Sequence, residues 1–248
     1  MTLDKNSLEV LEMTNEEGVS LLLKSAMLDG TSGHIMIMAR KLVSEIGGIP
    51  LAIDQAGGYM LPSCGCSMDD YLELYTKHRD KLMSNPEFKG ATGYDRNTYG
   101  TWEIAMQKVE KMAANDTGEQ GLAAYNAIKL FRMFAFLDHA NVPQRLFKNA
   151  AENYMKKNDK WSDFGLPLSV KLLDHETLFL NEEGVWDKIQ FLSGIQVLLS
   201  FSFIKSHEHL YSMHLLVHAW SRSRLPKANI TDLYHRTRAV LSCSIHSP

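Results

Sequence analysis

Two short runs carry residue types that chemistry needs. In Tyr211-Ser212-Met213-His214-Leu215-Leu216-Val217-His218-Ala219-Trp220, a histidine stands where an alternating strand turns into a helix. An imidazole at such a junction can donate a ring N–H to a phosphate as a charge-assisted hydrogen bond. Far upstream, Gly47-Gly48-Ile49-Pro50-Leu51-Ala52 sets a proline between a glycine pair and a helix. Pro50 offers a rigid apolar face to a planar base, and the glycines let backbone come close. Each run also has a plain structural reading. His214 is then an exposed or structural residue at a strand end, and Gly47–Ala52 is a joint between two helices.

Other chemistries find less support. A phosphate-binding loop needs G-x-x-x-x-G-K-[ST], and none of the sixteen glycines precedes a lysine. Gly30-Thr31-Ser32-Gly33-His34 therefore reads as a turn. No apolar strand ends in the paired acids that would hold Mg²⁺; Glu182-Glu183 is followed by Gly184 and reads as a turn. His207, His209, His214 and His218 invite a zinc reading, with His214 and His218 at i, i+4. No glutamate follows His214, so the H-E-x-x-H base is missing and no metal is expected. Cys64-Gly65-Cys66 has no second cysteine pair and reads as an exposed loop. No Ser/His/Asp or Cys/His arrangement with a recognisable local signature stands in the sequence. Asp54 is a candidate buried acid in a paired or capping role.

The elements that must position these residues are mostly helical. Leu8–Met13 alternates apolar and acidic residues, which predicts a short strand whose partners lie upstream. Thr14 with Glu17 forms a capping box, and the helix it opens buries Val19, Leu22, Leu23, Ala26 and Met27. Ile35, Met38, Ala39, Leu42, Val43 and Ile46 form the clearest helical face in the chain, closed by Gly47-Gly48. Pro50 opens a third helix, and a fourth begins near Ser67. Four short helices predict a bundle over 14–84. Gly, Asn, Pro and Thr mark 85–97 as a linker.

Beyond the linker, helices are predicted around Trp102–Met112 and Ala123–Ala135, from Pro143 to Tyr154, and from Val185 to Ser200. Lys156 to Asp163 reads as a solvated turn. Phe201–Lys205 and Leu210–Met213 alternate as two strands around residues 206–209, a β-hairpin. The expected fold class is mainly α: a small helical bundle followed by a winged-helix domain, 98–225, with one β-hairpin. Residues 226–248 are left as a tail.

The chain has 248 residues, 45% hydrophobic and 22% charged, with a formal charge of -3. That balance supplies no global basic field, so nucleic acid is not an expected partner. Arg222, Arg224, Lys227, Arg236 and Arg238 form the one basic concentration. Three cysteines make no disulfide framework, which points to a reducing compartment. No apolar run approaches the roughly 20 residues a membrane span needs, and Met1–Asn6 has no apolar leader core. No membrane and a cytoplasmic location are expected.

With these residues laid out, the chain resembles the fungal branch of the NB-ARC family, signal-transduction ATPases of the STAND class related to NOD-like receptors. Five runs carry the resemblance in order: Gly48–Gly57, Asp70–Tyr75, Tyr99–Ile104, Ala135–Asp138 and Met213–Arg222. They cover about 8–225. The resemblance implies that 8–13 is the last strand of a nucleotide-binding domain, 14–84 the helical subdomain, and 98–225 the winged-helix subdomain. Residues 226–248 would begin the tetratricopeptide repeats that usually follow. It further implies adenine against Pro50, with Leu51 beside it, and the β-phosphate of ADP on His214. Leu215 stands where plant and animal relatives often have aspartate.

The expected function is that of the nucleotide-sensing, C-terminal part of an NB-ARC signalling switch, of the innate-immunity or heterokaryon-incompatibility type. ADP or ATP would be the ligand in the intact parent, held with an intramolecular nucleotide-binding domain and C-terminal repeats as partners, beside other protein partners. No phosphate-binding loop is present in this sequence, so no catalysis and no tight nucleotide binding are expected of this chain. Two rival readings are a winged-helix DNA-binding regulator and a ligand-free helical scaffold for protein interaction.

Overall fold

The computed structural model describes residues 12–30, 32–60, 66–84, 98–160 and 172–245, the side chains of 157–160 excepted. The chain divides into two compact units, Met1–Trp102 and Glu103–Pro248. The described residues form ten helices and three short strands, a mainly helical protein with one small antiparallel sheet.

In the first unit, α1 (Asn15–Ser25), α2 (Gly33–Ile46), α3 (Pro50–Tyr59) and α4 (Met68–Ser84) pack around one another. Local chemistry starts and stops them. Thr14 and Glu17 make the reciprocal capping box, satisfying two backbone N–H groups at the start of α1. Ser67 and Asp70 do the same for α4, with the Ser67 N–H and hydroxyl both donating to the Asp70 carboxylate. Apolar residues at helical spacing then bury one stripe of each helix. Val19, Leu22 and Ala26 meet Ala39, Leu42, Val43 and Ile46, all at most 4% exposed. Met27, expected on that face, is exposed, because the chain has already left the helix there at a positive φ of 53°.

The α2–α3 joint rests on two consecutive glycines in the left-handed region, Gly47 at φ 79° and Gly48 at φ 73°. The Gly48 carbonyl accepts from the Met13 N–H at 3.0 Å. A Cβ on Gly48 would stand 2.6 Å from the Met13 carbonyl oxygen. Gly48→Ala is therefore expected to lower the unfolding free energy by about 1–3 kcal/mol, from left-handed strain plus the backbone clash. Gly33→Ala is the control: it meets nothing within 4 Å, and urea melts should place it near or above wild type. Of the strand expected at Leu8–Met13, residues 8–11 lie outside the described residues, and Met13 lies in irregular backbone. The linker 85–97 and the Cys64-Gly65 pair also lie outside them.

In the second unit, most of α5 (Thr98–Asn115) is joined by α6 (Glu119–Phe134), β1 (Val142–Pro143), α7 (Gln144–Lys160), α8 (Lys188–Ser200), β2 (Lys205–His207), β3 (Leu210–Ser212), α9 (Leu215–Ser223) and α10 (Lys227–Ile245). Helix α6 lies on α8, close enough that a Cβ on Gly194 would come within 2.9 Å of Asn126 backbone. Phe131, Phe134, Phe147, Phe179, Phe191, Phe203, Tyr211 and Trp220 fill the interior, each at most 3% exposed.

Five expectations change here. The hairpin is present, but Phe201–Ile204 is not its first strand. Phe203 and Ile204 are buried at 1% and 3%, and pairing starts at Lys205, with Ser206 opposite Tyr211. Glu208 and His209 make the two-residue turn, both at positive φ (47° and 65°), as a turn matching the strand twist requires. A third strand, β1, pairs with β3 through Val142 opposite Tyr211. Pro143, expected to open a helix, sits in this edge strand, where its missing N–H is tolerated.

Helix α8 begins at Lys188 rather than Val185. Asp187 is its N-cap, accepting from the N–H groups of Ile189 and Gln190, while Trp186 bridges to Leu180. Residues 156–160, read as a solvated turn, continue α7. A run of Lys, Asn and Asp marks exposure, and lysine favours the helix. Residues 161–163 lie outside the described residues. Finally, 226–245 does not trail away as a bare tail. Helix α10 packs along α7, burying Ala239, Val240 and Cys243, and the Asn153 side chain donates to the Cys243 carbonyl at 2.9 Å in the interior.

Candidate functional site

The first candidate surface is the start of α3. Ile49 is the N-cap and Pro50 the first helical residue, where a fixed φ and absent N–H fit the helix. Pro50 is exposed, Leu51 half-buried and Gly48 buried. The proline face is thus presented outward by a turn that its neighbours make rigid.

The rest of that run is interior structure. Asp54 is 4% exposed and accepts from the Ser25 hydroxyl at 2.7 Å. Gln55 is 2% exposed. Its amide donates to the Leu82 carbonyl at 2.9 Å, and its oxygen accepts from the Thr98 N–H and hydroxyl at 3.2 and 3.1 Å. Gly57 lets α1 come close, since a Cβ there would lie 2.4 Å from Ser25 Cβ. Asp54, read as a candidate acid, is a buried hydrogen-bond acceptor between α1 and α3.

The second candidate is His214, at the start of α9 in the second unit. It is the N-cap, and its Nδ1 accepts from the Leu216 N–H at 3.1 Å. Serine, aspartate and asparagine usually fill that position; here a ring nitrogen does. An accepting Nδ1 carries no proton, so the neutral ring holds its proton on Nε2 as a donor. The neighbouring Met213 is buried, and its N–H donates to the His139 carbonyl at 2.7 Å. Strand β3 and that bond together hold the turn into α9.

The i+4 partner does something else. His218 Nε2 donates to the Leu137 carbonyl at 3.0 Å, and the ring lies 6.1 Å from that of His139. Burial, then the nearby Arg222, holds its pKa below the ordinary value. His207 and His209 are exposed on the hairpin. Among the described residues no group of three or more His, Cys, Asp or Glu is arranged to hold a metal.

The remaining resemblance runs are structural in this chain. Tyr71 and Tyr75 stack at 6.3 Å on α4. The Tyr99 hydroxyl donates to Asp80 at 3.1 Å. Leu137 supplies the carbonyl that His218 uses. Trp220 stacks on Phe203 at 5.9 Å.

Charge is organised by one feature that composition and spacing did not reveal. Arg224, the C-cap of α9, makes four hydrogen bonds at 2.8–2.9 Å, two to Glu103 and two to Glu110 on α5. Arg236 is likewise held by Asp174 at 3.0 Å and Asp232 at 2.8 Å. Two of the five residues of the basic concentration are therefore neutralised by carboxylates. Only the i, i+4 spacing of Asp232 and Arg236 was visible in the sequence.

Pro50 and Leu51 lie together at the start of α3 in the first unit, and His214 begins α9 in the second. No helix among the described residues is long and apolar enough to cross a membrane. Compared with known proteins, the chain matches no protein-family model, no curated protein and no solved structure.

Proposed function

We propose that this chain is the nucleotide-sensing regulatory part of an NB-ARC-type signalling switch. Its second unit acts as a winged-helix-like domain that reports ADP through His214, and Pro50 with Leu51 meets the adenine. The reading rests above all on the His214 ring. A hydrogen bond to the Leu216 N–H fixes it at the start of a helix and assigns its proton to Nε2. A phosphate there would meet a ring N–H and the positive end of the α9 dipole together. The exposed, rigid Pro50 face is the second support. A phosphate-binding loop would come from a preceding nucleotide-binding domain, so this chain by itself is expected to bind ADP weakly and to hydrolyse nothing.

A ligand that binds two arrangements unequally shifts the balance between them, and that is the work proposed for ADP in the parent. The DNA-binding alternative is less favoured, because the carboxylates on Arg224 and Arg236 remove positive charge where a recognition surface would need it.

The test is a titration of isotope-labelled chain with ADP followed by amide chemical shifts. At millimolar ADP, shifts are expected at 48–52 and 213–217, larger than those from AMP, which lacks the β-phosphate. His214→Ala should weaken ADP about ten- to a hundredfold, the worth of a charge-assisted hydrogen bond, with the remaining spectrum unchanged. Shifts absent from both segments, or unaltered by His214→Ala, would overturn the reading in favour of a ligand-free scaffold.

A further inference from the structure

A cleft of about 280 Å³ lies in the second unit, walled by α6, the 174–177 turn and α10. Its charged groups are sorted with care. Arg236 is neutralised by Asp174 and Asp232. The Tyr125 hydroxyl donates to the Glu176 carboxylate. Lys129 is treated differently. Its Nζ donates to the Glu176 main-chain carbonyl at 2.6 Å and lies 3.8 Å from the centroid of the Phe179 ring. It makes no carboxylate ion pair among the described residues. Arg132, one helical turn on, is exposed at the same cleft and makes no ion pair among the described residues.

A nucleophile on an aromatic floor thus stands beside an uncommitted guanidinium in a cavity of small-molecule size. We propose that the cleft is a site of covalent carbonyl capture, in which the Lys129 amine adds to a small phosphate-bearing aldehyde whose phosphate Arg132 holds. The unprotonated Nζ attacks the carbonyl carbon, and the C=O π pair becomes an alkoxide. A proton passes from nitrogen to that oxygen to give the carbinolamine. Loss of water then forms the C=N bond, so amine and aldehyde become imine and water with no change of oxidation state.

Guanidinium suits the phosphate because its planar fork matches two oxygens at once. The amine is primed as well as placed: burial lowers its pKa to about 8, against the opposing charges of Glu176 and Asp174. At neutral pH roughly a tenth of such amines are unprotonated, against roughly three in ten thousand for an ordinary lysine. This proposal does not depend on nucleotide binding elsewhere in the chain.

The experiment treats the whole chain with substoichiometric pyridoxal 5′-phosphate at neutral pH, traps the imine with borohydride and maps the labelled peptides. Lys148, whose side chain is 51% exposed, is the internal reference. Lys129 is expected to take label about tenfold or more faster than Lys148. Arg132→Gln should cut that rate several-fold for pyridoxal 5′-phosphate and leave it unchanged for pyridoxal, which has no phosphate. Label entering Lys129 no faster than Lys148 overturns the site. An equal fall with both probes, or none with either, overturns the phosphate role of Arg132.

Discussion

Phe191→Ala is expected to lower the unfolding free energy of the second unit by about 3–5 kcal/mol, the cost of deleting a buried aromatic ring. Phe191 is fully buried. Its ring meets Phe147 at 5.0 Å, Phe179 at 5.6 Å, Trp186 at 5.8 Å and Tyr211 at 6.1 Å. Four segments therefore share one cavity when it is removed: α7, the 174–180 segment, Trp186 ahead of α8, and β3. Partial collapse cannot satisfy all four, because rigid secondary structure holds the lining apart.

Urea melts read by tryptophan fluorescence should show the midpoint fall by about 1–3 M with the slope unchanged. Phe191→Leu, which refills most of the volume, should recover more than half of the loss. A loss under about 1 kcal/mol for alanine would mean that the rings repack and the hub is dispensable. The consequence reaches the candidate site, since Tyr211 lies in β3 and β3 leads through Met213 into His214.

The second large effect is expected at the C-terminal end of α9, the helix that His214 caps. Arg224→Met removes the guanidinium from between two carboxylates and leaves Glu103 and Glu110 facing each other. The Arg224 side chain is 24% exposed and both glutamates 36%, so water offsets part of the loss. About 2–3 kcal/mol is expected, below the cost of breaking a fully buried pair. Arg224→Lys should recover less than half, because an ammonium cannot serve two carboxylates with parallel pairs of hydrogen bonds.

The cycle that isolates the effect places Arg224→Met in a Glu103→Gln, Glu110→Gln background. There it should cost under about 1 kcal/mol, since the stranded charges are gone. A full cost in that background would assign the role to packing of the arginine stem instead.

Acid should act on the same bond in one direction. The hydrogen bonds from Arg224, opposed by partial burial, hold the Glu103 carboxyl below its ordinary 4.5. The folded state therefore releases that proton more readily than the unfolded chain. The stability it contributes is complete above about pH 5 and is lost as pH falls through the folded pKa. The wild-type advantage over Arg224→Met should be constant from pH 5 to 8 and shrink below 4.5. An advantage that persisted unchanged into stronger acid would contradict an electrostatic origin.

Features set by near neighbours along the chain were legible before any fold was known. The Thr14/Glu17 capping box, the stripe from Ala39 to Ile46, the glycine stop at Gly47, Pro50 at a helix start and the hairpin near 206–211 rest on contacts within a few residues. Their spacing is written in order along the chain. The two runs singled out for nucleotide contact also kept their local character, a turn with a proline helix start and a strand-to-helix step.

Other features depend on residues that only the fold brings together. A two-residue strand such as Val142–Pro143 has no period to read, and it exists only because β3 offers a ladder. Phe201–Ile204 alternates like a strand, yet burial against Phe131 and Trp220 outweighs that pattern. Arg224 lies more than a hundred positions from both Glu103 and Glu110, and no spacing rule couples it to them. Asp54 and Gln55 belong to one of the five runs that carry the resemblance, and they hydrogen-bond with Ser25, Leu82 and Thr98. Periodicity shows which face of an element is buried. It cannot show which other face meets it, because that choice depends on volume, hydrogen-bond satisfaction and charge pairing among residues brought together only by the fold.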